Sequence, residues 1–256
     1  MPLFGGKPKL TLSQALAKRE PEATVLPLIT ADAAKKADED GKLPLQLAAV
    51  KRSSPAVFKA LLDAFPEAVS MPDPNGFLPI QKVLGYRAPD EVVKLLLAAF
   101  PDSISAKDKF GFLPLHTHLM NATEGTTAML LAGYPEAAKV KDGKQGYLPL
   151  HLAARFKAPA NAVRAVLDAH PPAAQAKDSD GQLPLHLALV SGAPAAVVKV
   201  LLAFHPESIS AAGKEDAMPL DLCGEDAEVR LPLMTIDDID HLDCLRGGRH
   251  ASAYPR

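Results

Sequence analysis

The feature that most constrains this chain is a short segment that returns every 35 residues. It reads GKLPLQLA at 41–48, GFLPIQKV at 76–83, GFLPLHTH at 111–118, GYLPLHLA at 146–153 and GQLPLHLA at 181–188, with a degenerate copy, DAMPLDLC, at 216–223. A fixed period of this length is the signature of a repeat array, whose units bury their apolar faces against one another. The 256 residues are therefore predicted to form one continuous array rather than separate globular domains.

One unit, residues 178–212, contains the signals for two helices. Asp178 and Gly181 occupy the first and fourth positions of a tight turn. Pro184 then stands at the first position of a short helix, where its missing N–H costs nothing. The sequence SGAP at 191–194 ends this helix, and AAVVKVLLAF follows with apolar residues at helical spacing. Each unit is predicted to be a turn, a helix, a loop, a second helix and a loop, so the fold class is all-α.

The pattern D-x-x-G-x-L-P-L-H-L-A followed by V-V-K-x-L-L, as in 178–202, resembles the ankyrin repeat. The resemblance covers about 38–230 and, less clearly, 8–37. It implies an ankyrin-type α-solenoid of stacked helix-turn-helix repeats with finger loops. The chain departs from the family in the length of its repeats, which is 35 residues rather than about 33.

A second departure concerns the start of the first helix in each repeat. The family has a threonine there that caps the helix, whereas this chain has Leu43, Leu78, Leu113, Leu148 and Leu183. Leucine carries no hydrogen-bond acceptor, and a missing N-cap costs about 1 kcal/mol. We expect the leucine to pack against a neighbouring repeat and so to offset part of that cost.

The repeat register places the array between two terminal segments. The predicted organisation is a flexible N-terminus at 1–7, an atypical N-terminal capping repeat at 8–37, five repeats of 35 residues at 38–212, a degenerate C-terminal cap at 213–234 and a partly disordered tail at 235–256, so that the whole array covers 8–234. The turn at 141–146 is one residue longer than its equivalents, which makes it a candidate functional finger.

Composition narrows the classes of function. The formal net charge is −2 and there is no long basic run, which argues against nucleic acid as the partner. The two cysteines are too few for a disulfide framework and are expected to stay reduced, which fits the cytoplasm and leaves the nucleus open. The start lacks the apolar core of a signal peptide, and the most apolar stretch, Val92–Phe100, is short and contains Lys94, so no membrane insertion is predicted.

Three histidines, His116, His151 and His186, occupy one position of the repeat, and a metal column or a catalytic row is one interpretation. Equivalent residues of adjacent repeats lie roughly 8–10 Å apart, whereas zinc needs its ligands within about 2.0–2.3 Å of one ion. We therefore favour hydrogen bonds within and between repeats, which the ankyrin resemblance also implies. No phosphate loop or catalytic motif is present, and the prediction is no cofactor, no metal and no enzymatic activity.

Solvent-facing positions can be located by register in the fingers and on the exposed face of the first helices, the surfaces with which ankyrin arrays bind proteins. In the middle three repeats these positions carry aromatic residues and cations, which anchor protein interfaces. The predicted partner-binding residues are Phe77, Tyr86, Lys109, Phe110, Phe112, Lys144, Tyr147, Arg155 and Phe156. The alternative is that some of these rings fold back between the fingers and are merely packed.

The predicted function is a non-catalytic protein–protein interaction scaffold, monomeric on its own, that binds through the fingers and the first-helix concave face of the central repeats. Because cations lie beside the aromatic residues, the partner is expected to be a protein with an acidic and apolar segment. Two alternatives stay open. One is a structural subunit of a larger assembly, and the other is a metal-binding or enzymatic protein that uses the histidine row or the acidic tail at 237–241.

Overall fold

Short helices follow one another in pairs along the chain in the computed structural model of the protein. The structure describes residues 10–123, 125–143 and 145–223, together with Val229 and Leu233. The helices are α1 (Leu12–Ala17), α2 (Glu22–Val25), α3 (Ala31–Lys35), α4 (Pro44–Lys51), α5 (Pro55–Ala64), α6 (Pro79–Gly85), α7 (Asp90–Ala99), α8 (Pro114–Leu119), α9 (Thr126–Gly133), α10 (Pro149–Arg155), α11 (Ala160–Ala169), α12 (Pro184–Ser191), α13 (Ala195–Phe204) and α14 (Pro219–Leu222). Within the described part of the chain every regular element is helical, which confirms the predicted all-α class.

The five central units share one plan. Each has a first helix that begins at the proline of the repeated segment (α4, α6, α8, α10 and α12) and a second helix (α5, α7, α9, α11 and α13). The residue after each second helix lies outside the helical region, with φ between −145° and −150°, because the proline that follows it disfavours helical backbone angles. Beyond each proline lies a 3₁₀ turn where the sequence predicted only a loop: Pro66–Ser70, Pro101–Ser105, Pro135–Lys139, Pro171–Gln175 and Pro206–Ser210.

The core is a continuous layer between the two rows of helices. First helices pack on first helices and second helices on second helices, as α4 does on α6 and α5 on α7. In the fourth repeat, Leu150 of the first helix and Val163 and Val166 of the second are fully buried. The leucines that precede the first helices are buried as well, apart from the partly buried Leu78, so they pack as expected.

The third repeat has two buried threonines at the start of its second helix. Thr126 and Thr127, at the start of α9, are both buried. Thr126 Oγ1 donates to Asp90 Oδ1 of the preceding repeat at 2.6 Å, and Thr127 Oγ1 lies 2.9 Å from His118 Nε2. Since each hydroxyl has a partner, the polar residues avoid the cost of burying an unpaired group.

One side chain of each first helix ties that helix to the loop before the next finger. It is the third helical residue: Gln46, Gln81, His116, His151 and His186. Each accepts a hydrogen bond from the N–H of the leucine that precedes the helix, at 2.8–3.2 Å. Each also bonds a backbone carbonyl of the later loop, at 2.8–3.2 Å. We call these five residues the ladder.

Glutamine and neutral histidine are interchangeable in the ladder because both offer one acceptor and one donor. The imidazole Nδ1 accepts from the leucine, so the proton is on Nε2, which donates to the carbonyl. Asp221 stands at the next equivalent position, where its Oδ2 accepts the N–H of Met218 at 3.1 Å. A carboxylate group offers no N–H to donate to a later carbonyl, so the ladder ends at His186.

The terminal parts are described only in part. At the N-terminal end, α1 packs on α4, and Pro27 lies in the 3₁₀ turn Leu26–Leu28 that follows α2. The predicted flexible segment 1–7 and the tail 235–256 lie outside the described residues. Of the second half of the predicted C-terminal cap only Val229 and Leu233 are described, and both are buried.

Replacing His151 by alanine is expected to lower the free energy of unfolding by about 2–3 kcal/mol, because the N–H of Leu148 and the carbonyl of Ala176 lose their partner. His151→Gln is the matched control, since Gln46 and Gln81 already make both bonds, and its loss should stay below about 1 kcal/mol. Urea unfolding of the two variants measures the difference, and equal losses would contradict the role of the ladder.

Candidate functional site

An aspartate holds each finger in front of its first helix. In the second repeat, Asp73 Oδ1 accepts the backbone N–H groups of Asn75 and Phe77, both at 2.9 Å. Gly76 closes the turn by donating to the Asp73 carbonyl oxygen at 2.8 Å, with φ at +81°, the left-handed region that favours glycine. The same arrangement recurs around Asp38, Asp108 and Asp178.

The side chain of Lys82 contacts the finger of its own repeat, the second. Its Nζ lies 2.8 Å from Asp73 Oδ2 and 4.3 Å from the centroid of the Phe77 ring. Burial alone would raise the pKa of Asp73, but the hydrogen bonds from Lys82 and from backbone N–H groups outweigh it, so this pKa lies below its ordinary value. The finger is therefore held by a buried ion pair and a cation–π contact from its own helix.

The finger at 141–146 accommodates its extra residue inside the same turn. Asp142 Oδ1 accepts the N–H groups of Gln145 and Tyr147, both at 3.0 Å, one residue further along than in the other fingers. Lys144, one of the predicted partner-binding residues, lies outside the described residues.

This longer finger bridges the fingers on either side of it. A Cβ atom on Gly143 would lie 2.7 Å from the carbonyl oxygen of Phe110, so the two backbones approach as closely as glycine allows. On the other side, Ser179 Oγ donates to the carbonyl of Gln145 at 2.6 Å. The middle finger thus contacts both of its neighbours, through a close backbone approach on one side and a hydrogen bond on the other.

Tyr147 is packed rather than presented to solvent. Its ring stacks on His151, with centroids 5.8 Å apart, and only 5% of the residue is exposed. Arg155 Nη1 donates to the tyrosine hydroxyl at 3.3 Å, and burial raises the pKa of that hydroxyl. The prediction that Tyr147 faces solvent is therefore wrong, because a ring one place after the finger glycine folds back over its own first helix.

The two other aromatic residues in that position are intermediate in exposure. Phe112 makes an edge contact with His116, with centroids 5.9 Å apart, and Phe77 lies beneath Lys82, as described above. Both phenylalanines are partly buried. They border the surface and contribute part of each ring to it.

Three of the predicted aromatic residues are substantially exposed: Tyr86 at 44%, Phe110 at 40% and Phe156 at 45%. Phe110 stands one place before the finger glycine, 6.1 Å from Phe77 between ring centroids. The ammonium of the exposed Lys109 lies 5.1 Å from the Phe110 ring and 5.5 Å from the Phe77 ring. We call Phe77, Lys109 and Phe110 the finger cluster.

Tyr86 and Phe156 lie at the other end of the first helices. Tyr86 follows the last residue of α6, and Phe156 follows Arg155, the last residue of α10. Arg155 is exposed although it also bonds Tyr147. We call Tyr86 and Phe156 the helix-end aromatics. The structure therefore separates the predicted residues into two groups along the first helices.

A strained backbone position directly follows the helix-end aromatics, and sequence reasoning missed it. Arg87 and Lys157 have φ of +54° and +55°, and Arg52 in the same register has φ of +58°. This left-handed conformation costs a residue other than glycine roughly 1–2 kcal/mol. The signal available in the sequence is Gly192, which occupies the same register and has φ of +67°.

The histidines of the ladder are neutral structural groups. In His116, His151 and His186 both ring nitrogens are engaged in hydrogen bonds, so neither is free to bind a metal ion. Burial lowers the pKa of each ring below its ordinary value. His118 is buried beside Thr127, and burial lowers its pKa to about 4.

Neither a metal-binding cluster nor a membrane-spanning helix is found in the part of the chain that the structure describes. No group of three or more His, Cys, Asp or Glu residues there is placed to hold a metal ion. No described helix combines the length and the apolar character that crossing a bilayer requires. The acidic cluster at 237–241 lies outside the described residues.

The lowered histidine pKa values set a pH dependence of stability. Above about pH 6.5 these rings are neutral in both the folded and the unfolded chain. Below this pH the unfolded chain takes up protons that the folded chain does not. The free energy of unfolding therefore decreases as the pH is lowered, and for His118 it does so down to about pH 4. The variant His116→Gln/His151→Gln/His186→Gln should reduce this slope by up to about 1.4 kcal/mol per pH unit for each ring.

Urea unfolding of wild type and this triple variant between pH 7 and pH 5 tests the prediction. Carboxylates contribute equally to both proteins and cancel in the comparison. At pH 7 the two stabilities should agree closely, because glutamine keeps both hydrogen bonds. Parallel slopes would show that the ladder histidines do not titrate as argued.

Comparison with known proteins identifies the fold. No protein-family model matches the chain, and no curated protein matches it. The human ASB11 ankyrin repeat domain superposes with a TM-score of 0.66 at 19% identity, over 96% of this chain and 100% of that one. The ankyrin repeat domain of Bcl-3, described as a member of the IkappaB protein family, gives 0.59 at 21% identity, over 95% and 99%.

A third similar structure is a chain from the complex of the Bd0816 predatory endopeptidase of Bdellovibrio bacteriovorus with the immunity protein Bd3460. It gives a TM-score of 0.61 at 17% identity, over 77% of this chain and 98% of that one. At such identities the likeness concerns the fold, and the two domains that span nearly the whole chain are both ankyrin repeat domains. The chain therefore has the ankyrin-repeat fold that its sequence predicts.

Proposed function

We propose that this protein is a non-catalytic scaffold that binds another protein through the fingers and the first-helix concave face of its central repeats. The observation that carries the proposal is the placement of exposed apolar groups. Among the described residues, the large hydrophobic side chains that are exposed are Met71, Tyr86, Phe110, Phe156 and Val190. Three of these are aromatic residues of repeats two, three and four, at finger or first-helix positions.

The chemistry of these residues suits an interface. Aromatic and arginine side chains supply large contact areas at a low entropic cost and dominate measured interface energies. Lys109 and Arg155 lie beside the exposed rings and favour a partner segment that is both acidic and apolar. Phe77 and Phe112 extend the apolar surface at its border, and Tyr147 acts indirectly by positioning Arg155.

The comparisons support a binding role without naming a partner. One similar structure is a complex in which an endopeptidase and an immunity protein are bound to each other. Repeat arrays place many solvent-facing positions on a rigid stack, so binding sites evolve on them by changes at those positions. We infer that this chain acts in the cytoplasm, is monomeric on its own and performs no catalysis.

The proposal is tested by removing the three exposed rings together. The variant Tyr86→Ala/Phe110→Ala/Phe156→Ala should lose at least tenfold in recovery of bound protein from native extract, because each anchor contributes more than about 1 kcal/mol. All three side chains are exposed, so the melting temperature should stay within a few degrees of wild type. Immobilised full-length chain with quantitative mass spectrometry gives the readout.

Met71→Ala is the matched control, since Met71 is 41% exposed and lies in the loop before a finger, outside the predicted set. It should leave recovery unchanged. If the triple variant recovered as much protein as wild type, the proposed binding surface would be wrong. An equal loss with Met71→Ala would indicate unspecific binding to apolar side chains. Size-exclusion chromatography separates the alternative of an assembly subunit, which would elute well above the mass of one chain.

A further inference from the structure

Three cations occupy a strained backbone conformation at one register of the five repeats, and Arg19, two residues after the end of α1, has positive φ as well. Arg52, Arg87 and Lys157 have positive φ, and each lies within two residues of the end of a first helix. Gly192 adopts the same conformation in the fifth repeat, where glycine has no Cβ to clash. In these four repeats the chain thus adopts the left-handed conformation here with or without a cation, whereas Ala122 of the third repeat does not adopt it. We call Arg52, Arg87 and Lys157 the left-handed basic row.

The side chains of the row lie along the array. Arg52 Nη2 donates to the carbonyl oxygen of Arg87, the equivalent residue of the next repeat, at 3.3 Å. Lys157 Nζ lies 3.8 Å from the place that a Cβ of Gly192 would occupy, again at the equivalent position one repeat further on. The charges therefore follow the direction in which the repeats stack.

The positive charge of the row is not neutralised within the described part of the chain. All three residues are exposed, and none of them forms an ion pair with a described carboxylate. Three of the cations near the fingers behave differently. Lys42 pairs with Asp40, Lys82 with Asp73 and Lys214 with Asp180, so the protein supplies its own counter-charges there.

Nearby acidic groups define where the row begins. Glu20 and Glu22 line a groove of about 490 Å³ together with Arg19, Lys51 and Arg52, so the protein's own carboxylates lie beside its cations on the N-terminal side of Arg52. Asp90, three residues after Arg87, accepts a hydrogen bond from Thr126 of the next repeat. The uncompensated stretch thus runs from Arg52 towards the fifth repeat.

We propose that the left-handed basic row binds an acidic, extended segment of the partner protein. This inference rests on the proposed function and adds the chemistry and the path of the bound segment. Guanidinium groups bind carboxylates through paired hydrogen bonds, and Lys157 contributes a point charge. Tyr86 and Phe156, each directly before a member of the row, receive apolar side chains of the same segment.

The repeat spacing fixes the spacing of the acidic groups. Adjacent repeats are separated by roughly 8–10 Å, and an extended chain advances about 3.3 Å per residue. Carboxylates about three residues apart therefore meet Arg52 and Arg87, which belong to adjacent repeats. Carboxylates about six residues apart meet Arg87 and Lys157, which are two repeats apart.

A second explanation for the cations is stabilisation of the helix ends. Positive charges near the C-terminus of a helix interact favourably with its dipole. This explanation predicts that glycine at these positions lowers the stability and leaves binding intact. The proposal predicts the reverse, since glycine relieves the strain while removing the binding charge.

The experiment uses the full chain and the variant Arg52→Gly/Arg87→Gly/Lys157→Gly. The probe is a fluorescein-labelled synthetic peptide of Glu, Ser and Leu with Glu at every third position, titrated by fluorescence anisotropy at low salt. Wild type should bind it, and the triple variant should bind about tenfold more weakly, since three exposed ion pairs are lost. The melting temperature of the variant should equal or exceed that of wild type. Arg52→Asn/Arg87→Asn/Lys157→Asn repeats the test with a side chain that tolerates positive φ.

Lys59→Gln/Lys94→Gln/Lys199→Gln is the matched control, because these exposed lysines share one register on the second helices and the variant loses the same three charges. It should bind the probe as wild type does. The proposal would be contradicted if wild type did not bind the probe, or if the triple glycine variant bound it equally well. It would also be contradicted by an equal loss in the control variant. Stronger binding of single-stranded DNA or anionic vesicles than of the peptide would exclude a protein segment as the ligand.

The extract assay distinguishes a failure of the basic-row proposal from a failure of the proposed function. If the glycine variant recovers the partner fully while the variant lacking Tyr86, Phe110 and Phe156 loses it, the basic row is wrong and the binding surface stands. If both variants recover the partner, both proposals are wrong.

Discussion

The hydrogen-bonded side chain at the third position of each first helix is the constraint on which the rest of the array depends. It fixes the start of the helix through the leucine N–H and the approach to the next finger through a later carbonyl. Because the same two bonds recur in five repeats, every finger leaves the stack at an equivalent point. The positions of the exposed rings follow from this, since the finger cluster lies just before the first helices and the helix-end aromatics just after them. Seven residues of helix separate the two groups by roughly 10 Å.

The period of the sequence predicted the architecture because it records which residues face the neighbouring unit. Prolines, finger glycines and the Asp-x-x-Gly turns located helices and fingers, and burial of the leucines before the first helices agrees with expectation. Solvent exposure was predicted less well, since it depends on contacts across the stack. Phe110 directly precedes the glycine of one finger and Tyr147 directly follows the glycine of the next, and both were predicted to face solvent, yet Phe110 is 40% exposed and Tyr147 5%. Only the position of the helix beneath the finger decides between them.

The left-handed backbone after the first helices is the second feature that the sequence did not predict. Arginine and lysine commonly follow a helix, so the sequence does not mark these positions as unusual. Their positive φ, which is uncommon for residues other than glycine, is seen only in the structure. Gly192 supplies the internal reference, because it shows what the position accepts when no charge is required. The proposed surface thus combines exposed aromatic rings, which suit partner affinity, with unneutralised cations in a conformation that costs the fold stability.

The ladder is chemically uneven along its length, with two glutamines followed by three histidines. Solenoids unfold unit by unit, since each repeat contacts only its neighbours. Acid weakens the histidine units, whose rings lose their acceptor nitrogen on protonation, and it leaves the glutamine units untouched. Through this position, therefore, the free energy of unfolding depends on pH in repeats three to five and not in repeats one and two. Acidity thus acts unevenly along one continuous stack, on the repeats nearer its C-terminal end.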